Sequence, residues 1–136
     1  MIKDFIEKWE ENKKELENYF RNTKQEEYDE YEKIVKKIIE IILNNNKRRV
    51  WSEEISVIDD GDYQGTQIFI VHKDTYQPSI NDYVYTSNYY GSCSGCDTLL
   101  RISDYEYGLP SEEQVKDYML LSLHLIQNFR RLEDSE

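Results

Sequence analysis

The first apolar positions fall three and four residues apart. Ile2, Phe5, Trp9, Leu16 and Phe20 form one stripe, with Ile6 and Tyr19 beside it, and Glu7, Glu10, Glu11, Lys13, Lys14 and Glu17 take the other face. That spacing is the period of an α-helix and predicts one over 3–20. Residues 21–24 break the pattern. Thr23 and Glu26 have the spacing of a capping box, which predicts a second helix over 24–44. Its stripe is Tyr28, Tyr31, Val35, Ile38 and Ile42, widened by Ile34, Ile39, Ile41 and Leu43. Its last turns are apolar nearly all round and should be buried. Asn44-Asn45-Asn46 should end it, because asparagine tolerates the left-handed conformation after a helix.

The period then shortens to two. Strands are predicted over 50–58, 66–72 and 83–90. The first puts Ile55 and Val57 on one face with Glu53, and the second holds the β-branched run Gln67-Ile68-Phe69-Ile70-Val71. Between them Asp59-Asp60-Gly61-Asp62-Tyr63-Gln64-Gly65 has the composition of a hairpin turn. The third strand sets Tyr83, Tyr85, Ser87 and Tyr89 against Val84, Thr86, Asn88 and Tyr90. Asp97 should cap a short helical turn over 98–102. Ser111 and Gln114 form a second capping box and open a last helix that should run to about Arg131.

The expected fold class is α+β: a three-stranded antiparallel meander covered by helices, with an N-terminal helical hairpin. Residues 1–136 are expected to form a single domain, with the helical hairpin in 1–46 and the sheet plus C-terminal helix in 47–136. The meander cannot bury one face alone, so the helices must cover it. Phe5, Trp9, Ile38, Ile42, Phe69, Ile70, Met119, Leu123 and Ile126 are the expected core.

Charge adds an asymmetry. The net charge of the chain is −11. Residues 1–46 contribute −3, the run Lys47-Arg48-Arg49 contributes +3, and residues 50–136 contribute −11. An acidic surface repels phosphate backbones, which argues against direct nucleic-acid binding. It favours solubility, and it would attract a basic surface on a partner protein. No apolar run reaches membrane-spanning length and the N-terminus lacks the apolar stretch of a signal peptide, so no membrane partner and a cytoplasmic location are expected.

Cys93 and Cys96 form one C-x-x-C, and three readings of it compete. A redox dithiol would follow a strand and open a helix, as here, but Asp97 directly after Cys96 disfavours a thiolate. A zinc site would take Cys93 and Cys96 as two ligands and needs others. His124 is the nearest candidate in kind, with His72, Asp97 or the Asp59–Asp62 loop as further donors. On a helical wheel, however, His124 falls with Asp117 and Asn128, opposite Val115, Met119, Ser122, Ile126 and Phe129. The third reading, which the sequence favours, is a small-residue turn whose thiols pack as small hydrophobes. The expected cofactor is therefore none, with zinc as the alternative. The Asp60–Val71 segment fails as a calcium loop, since Val71 stands where a bidentate glutamate is needed. No nucleophile elbow, Walker loop, dinucleotide fingerprint or H-E-x-x-H is present.

Three blocks carry a resemblance. Asp60-Gly61-Asp62-Tyr63-Gln64-Gly65-Thr66, Tyr90-Gly91-Ser92-Cys93-Ser94-Gly95-Cys96-Asp97-Thr98-Leu99 and Leu123-His124-Leu125-Ile126-Gln127 are similar to blocks in small bacteriophage and prophage proteins of unassigned function. The resemblance covers about residues 50–130. It implies a phage origin, hence a host cytoplasm, and no activity. The leading expectation is a non-enzymatic accessory protein that binds and modulates a host protein with a basic surface. Asp59, Asp60, Asp62 and Tyr63 would be its binding residues, and DNA mimicry is one version. Reversing the three aspartates to lysine is expected to leave folding intact. The alternative is a small metal- or thiol-dependent enzyme or small-ligand binder using Cys93, Cys96 and His124.

Overall fold

The computed structural model describes residues 1–25, 30–45, 49–61, 64–92 and 97–134. Helix α1 spans Ile2–Arg21 and buries Phe5, Trp9, Leu16 and Phe20. Asn12 is buried in the same stripe, and Ile2 is exposed. The Thr23 hydroxyl donates to the Tyr19 carbonyl at the end of α1, and α2 is Tyr31–Lys37. The expected Thr23–Glu26 capping box falls on a residue outside the described ones, as does Tyr28. The chain then continues, without a break, into a π-helical segment at Ile38–Leu43, where the Asn44 amide donates to the Ile39 carbonyl five residues back.

That wider turn suits its sequence. Ile38, Ile39, Ile41, Ile42 and Leu43 are all buried, and only Glu40 reaches outward, to Lys37 at 3.1 Å. The last carbonyls would lack partners at a buried helix end. Lys8 donates to the Leu43 carbonyl and Asn12 to that of Ile42, which explains the polar residue in the stripe of α1. Lys37 sits over the Tyr19 ring. Residue 8 meeting 43, 12 meeting 42 and 19 meeting 37 makes the pair an antiparallel helical hairpin. Asn45 is left-handed (φ 53°), as expected of the asparagine stop. The Asn44 side chain accepts from the Val50 and Trp51 amides and donates to the Trp51 carbonyl, folding the chain back.

Among the described residues the sheet has four antiparallel strands in the order β1-β2-β3-β4: Ser56–Asp59, Gly65–His72, Tyr83–Tyr90 and Arg130–Arg131. Three points differ from expectation. First, β1 is shorter: Trp51 and Ser52 still bond to β2 and its continuation, at Lys73 and His72, but residues 53–55 interrupt the ladder before Ser56. Second, the last helix stops early. Helix α4 is Glu112–Gln127, opened by the Ser111–Gln114 capping box, and Asn128 ends it. Third, Arg130–Arg131 leave the helix and pair with Tyr85 and Val84 as a fourth strand. Helix α3 (Thr98–Ser103) is capped by Asp97, whose side chain accepts from the Leu100 amide.

Register fixes the two faces of the sheet. Phe69, Val71, Val84 and Thr86 point to the helices and are buried, and Thr86 donates to the Leu125 carbonyl on α4. Phe5 packs edge-to-face on both Trp51 and Phe129, joining α1 to the sheet side of the core. Phe5, Trp9, Ile38, Ile42, Phe69 and Ile126 are core, as expected. Met119 and Leu123 are only partly buried against it, because α4 turns Tyr118, Leu121 and Leu125 inward instead. Ile70 is half-buried, since it sits one residue out of phase with Phe69 and Val71 and so points to the other face. That other face carries Ile58, Ile68, Ile70, Tyr83, Tyr85 and Tyr89, none of them fully buried.

Candidate functional site at the acidic end of the sheet

The hairpin turn between β1 and β2 is tied by its own carboxylates. Asp59 Oδ1 accepts from the Tyr90 hydroxyl at 2.7 Å and from the Gly61 amide at 3.0 Å, and its Oδ2 accepts from the Gln67 amide group at 3.2 Å. The Tyr90 hydroxyl, the Gly61 amide and the Gln67 side chain hold the Asp59 carboxyl below its ordinary range. Asp60 Oδ1 accepts from the Thr66 amide at 2.7 Å. Both glycines are required by space. A Cβ on Gly61 would overlap the Gln64 carbonyl oxygen, and one on Gly65 would lie 2.5 Å from Asp60 Oδ1. Asp59 and Asp60 are therefore hairpin ties as well as surface charges. Charge reversal there would remove these hydrogen bonds as well as the negative charge. Asp62 and Tyr63 lie outside the described residues.

Tyr90 and Gly91 carry the link onward. Gly65 faces Tyr90 across β2 and β3. The Gly91 amide donates to Asp97 Oδ2 at 3.0 Å. Asp97 Oδ1 accepts from the Tyr31 hydroxyl at 2.7 Å and from the Leu100 amide at 3.3 Å, and the Leu99 amide donates to the Tyr31 oxygen at 3.2 Å. Asp97 is buried, and every one of these donors belongs to the protein, so its carboxylate is spent on joining β3, α2 and α3. Burial, and then the Asp97 carboxylate beside it, push the Tyr31 phenol well above its ordinary value.

His124 is exposed on α4, away from the core side, as the helical wheel predicts. It lines a cavity of about 120 Å³ with Asn88, Thr98, Arg101 and Asp117. Asn88 pairs across the strands with Gln67, the side chain that bonds Asp59. The acidic turn, the β3 end and His124 thus share one end of the fold. Cys93 and Cys96 lie outside the described residues, and Thr98 is two positions after Cys96 in the chain. Among the described residues no three of His, Cys, Asp and Glu cluster as metal ligands. Sequence reasoning missed Tyr31, Gln67 and Tyr90 as members of this network. Tyr31 reads as one more apolar position of a helical stripe, and only its hydroxyl, placed opposite Asp97 by the fold, sets it apart.

Among the described residues no helix is long and apolar enough to cross a membrane. No family model matches the chain, and neither a curated protein nor a solved structure matches it significantly.

Proposed function

We propose that this chain is a non-enzymatic binding protein of phage type that docks on a basic surface of a host protein in the host cytoplasm. The supporting observation is the face of the sheet that alternates with the buried one and stays partly open. Ile58 and Tyr89 are each about half exposed on it (53% and 51%), beside Ile68, Ile70 and Tyr85. Tyrosine and isoleucine give contact area at modest entropy cost, and an apolar patch rimmed by polar groups is the usual form of a docking site. One end of this face is the hairpin turn that carries Asp60, within a segment of net charge −11, while the Asp59 side chain turns to the opposite face with Gln67 and Tyr90. A partner of complementary, basic charge is therefore favoured, and its association would be steered by that field.

The test is a double variant, Ile58→Ser with Tyr89→Ser, which touches no core residue. A partner captured from bacterial lysate by the wild-type chain should be released as ionic strength rises, because exposed charges more than about 10 Å apart are screened at 0.1 M salt. The double variant should fold with an unchanged denaturation midpoint and fail to capture it. Capture indifferent to both salt and the double variant refutes the reading. Stoichiometric zinc in the purified protein would favour the alternative, a ligand set of Cys93, Cys96 and His124.

A further inference from the structure

At the opposite end of the sheet from the acidic turn lies a cavity of about 430 Å³. Its floor is apolar: Phe5, Trp51 and Val84 are buried there, and Phe5 holds Trp51 edge-to-face at 5.5 Å. Its rim carries both signs of charge. Lys73 and Arg131 are among only five basic residues in 50–136, and they face the acidic rim residues Asp4, Asp82 and Glu133. The backbone of the rim is fixed. Lys73 bridges to Trp51 and donates its amide to the Asp82 carbonyl at 2.9 Å, and Arg131 is in register with Val84.

The rim charges are only partly used up by one another. Among the described residues the Lys73 ammonium and the Asp4 carboxylate have neither an ion pair nor a hydrogen bond. Arg131 has only Glu133, at 3.8 Å. Asp82 is the exception, since its carboxylate accepts from the Ser79 amide and hydroxyl. A strongly acidic chain has thus set a free cation, a free carboxylate, the loosely paired Arg131 and Glu133, and an aromatic floor around one preformed hollow. Its volume falls within the roughly 300–1,000 Å³ range of small-molecule sites.

We propose that this cavity binds a small zwitterion with an apolar body, the chemistry of a free apolar α-amino acid. The carboxylate would meet Lys73 and Arg131, the ammonium would meet Asp4 and Glu133, and the side chain would lie on Phe5, Trp51 and Val84. Other classes fit less well. A phosphate dianion would face three carboxylates, and a simple cation would leave Lys73 without a partner. This site is independent of the docking face described above.

Phenylalanine titrated into the full chain should give a saturable change in Trp51 fluorescence, matched by shifts of the Lys73 and Arg131 backbone amides in NMR spectra. N-acetylphenylalanine lacks the ammonium and phenylalaninamide lacks the carboxylate, so each should bind about tenfold more weakly or worse, as loss of one charge-assisted bond implies. Lys73→Gln and Asp4→Asn should each weaken phenylalanine about tenfold with an unchanged melting temperature. No saturable response to phenylalanine or leucine at millimolar concentration overturns the proposal. So does an amide or N-acetyl derivative that binds as tightly as phenylalanine, a comparison that needs no variant to fold.

Discussion

The Tyr31 hydroxyl donates to Asp97 and accepts from the Leu99 amide, so one phenol joins α2 to the first turn of α3. Removing it leaves the buried Leu99 amide without its acceptor and takes one donor from the buried Asp97 carboxylate. Tyr31→Phe should cost about 1–3 kcal/mol, the price of a buried polar group left unpaired. Asp97→Ala should cost more, since it also removes the helix cap and leaves the Gly91 and Leu100 amides without an acceptor. Urea denaturation of the two variants and their combination checks this. Residues in contact are not additive, so the double variant should fall short of the sum by about 0.5–3 kcal/mol.

Tyr31 and Tyr118 should set an alkaline limit. Burial raises both phenols above their ordinary value of 10, with Asp97 adding to the effect at Tyr31. A folded value above the unfolded one means that the folded state holds the proton more tightly. The stability this supplies is complete below pH 10 and is lost as pH rises beyond it. Of the twelve tyrosines, two should therefore ionise only as the chain unfolds. Spectrophotometric titration should show a late cooperative step, and Tyr31→Phe with Tyr118→Phe should abolish it. A single smooth titration of all twelve in the wild type would refute the assignment.

Ile38 and Ile126 are fully buried, and truncating either to alanine should cost about 2–5 kcal/mol. Ile70→Ala should cost clearly less, because its side chain lies on the half-open face. Equilibrium denaturation of the three variants ranks them directly. Equal losses at Ile38 and Ile70 would mean that the open face is covered.

The elements with strong local signals were legible in the sequence. The α1 stripe, the limits of β3, the Asp97 cap and the Ser111–Gln114 box each rest on contacts within a few residues, and all are present. What the sequence hid depends on distant partners. The helix expected over 24–44 is α2 from Tyr31 and widens into a π-turn at Ile38–Leu43, whose last carbonyls take donors from Lys8 and Asn12 on α1. Arg130 and Arg131 look like a helix end and become a strand because the β3 edge offers them a ladder. In the candidate site, the aspartates of the turn were visible by composition, whereas their role as ties depends on Tyr90 and Gln67, which only strand register brings near.

The pairing of Phe5 with Phe129 bears on how the chain folds. Nearly all of the described chain lies between these two rings, and β4, which follows Phe129, completes the sheet. The helical hairpin alone would leave the rings of Phe5 and Phe20 without Phe129 and Tyr118, their partners from the far end. During synthesis the core therefore stays open until α4 has emerged, and the early helices must wait with their apolar faces exposed. Contacts so far apart in sequence close slowly for their size. The acidic charge of the chain then serves the unfinished protein too, keeping nascent copies apart while the last partner is still being made.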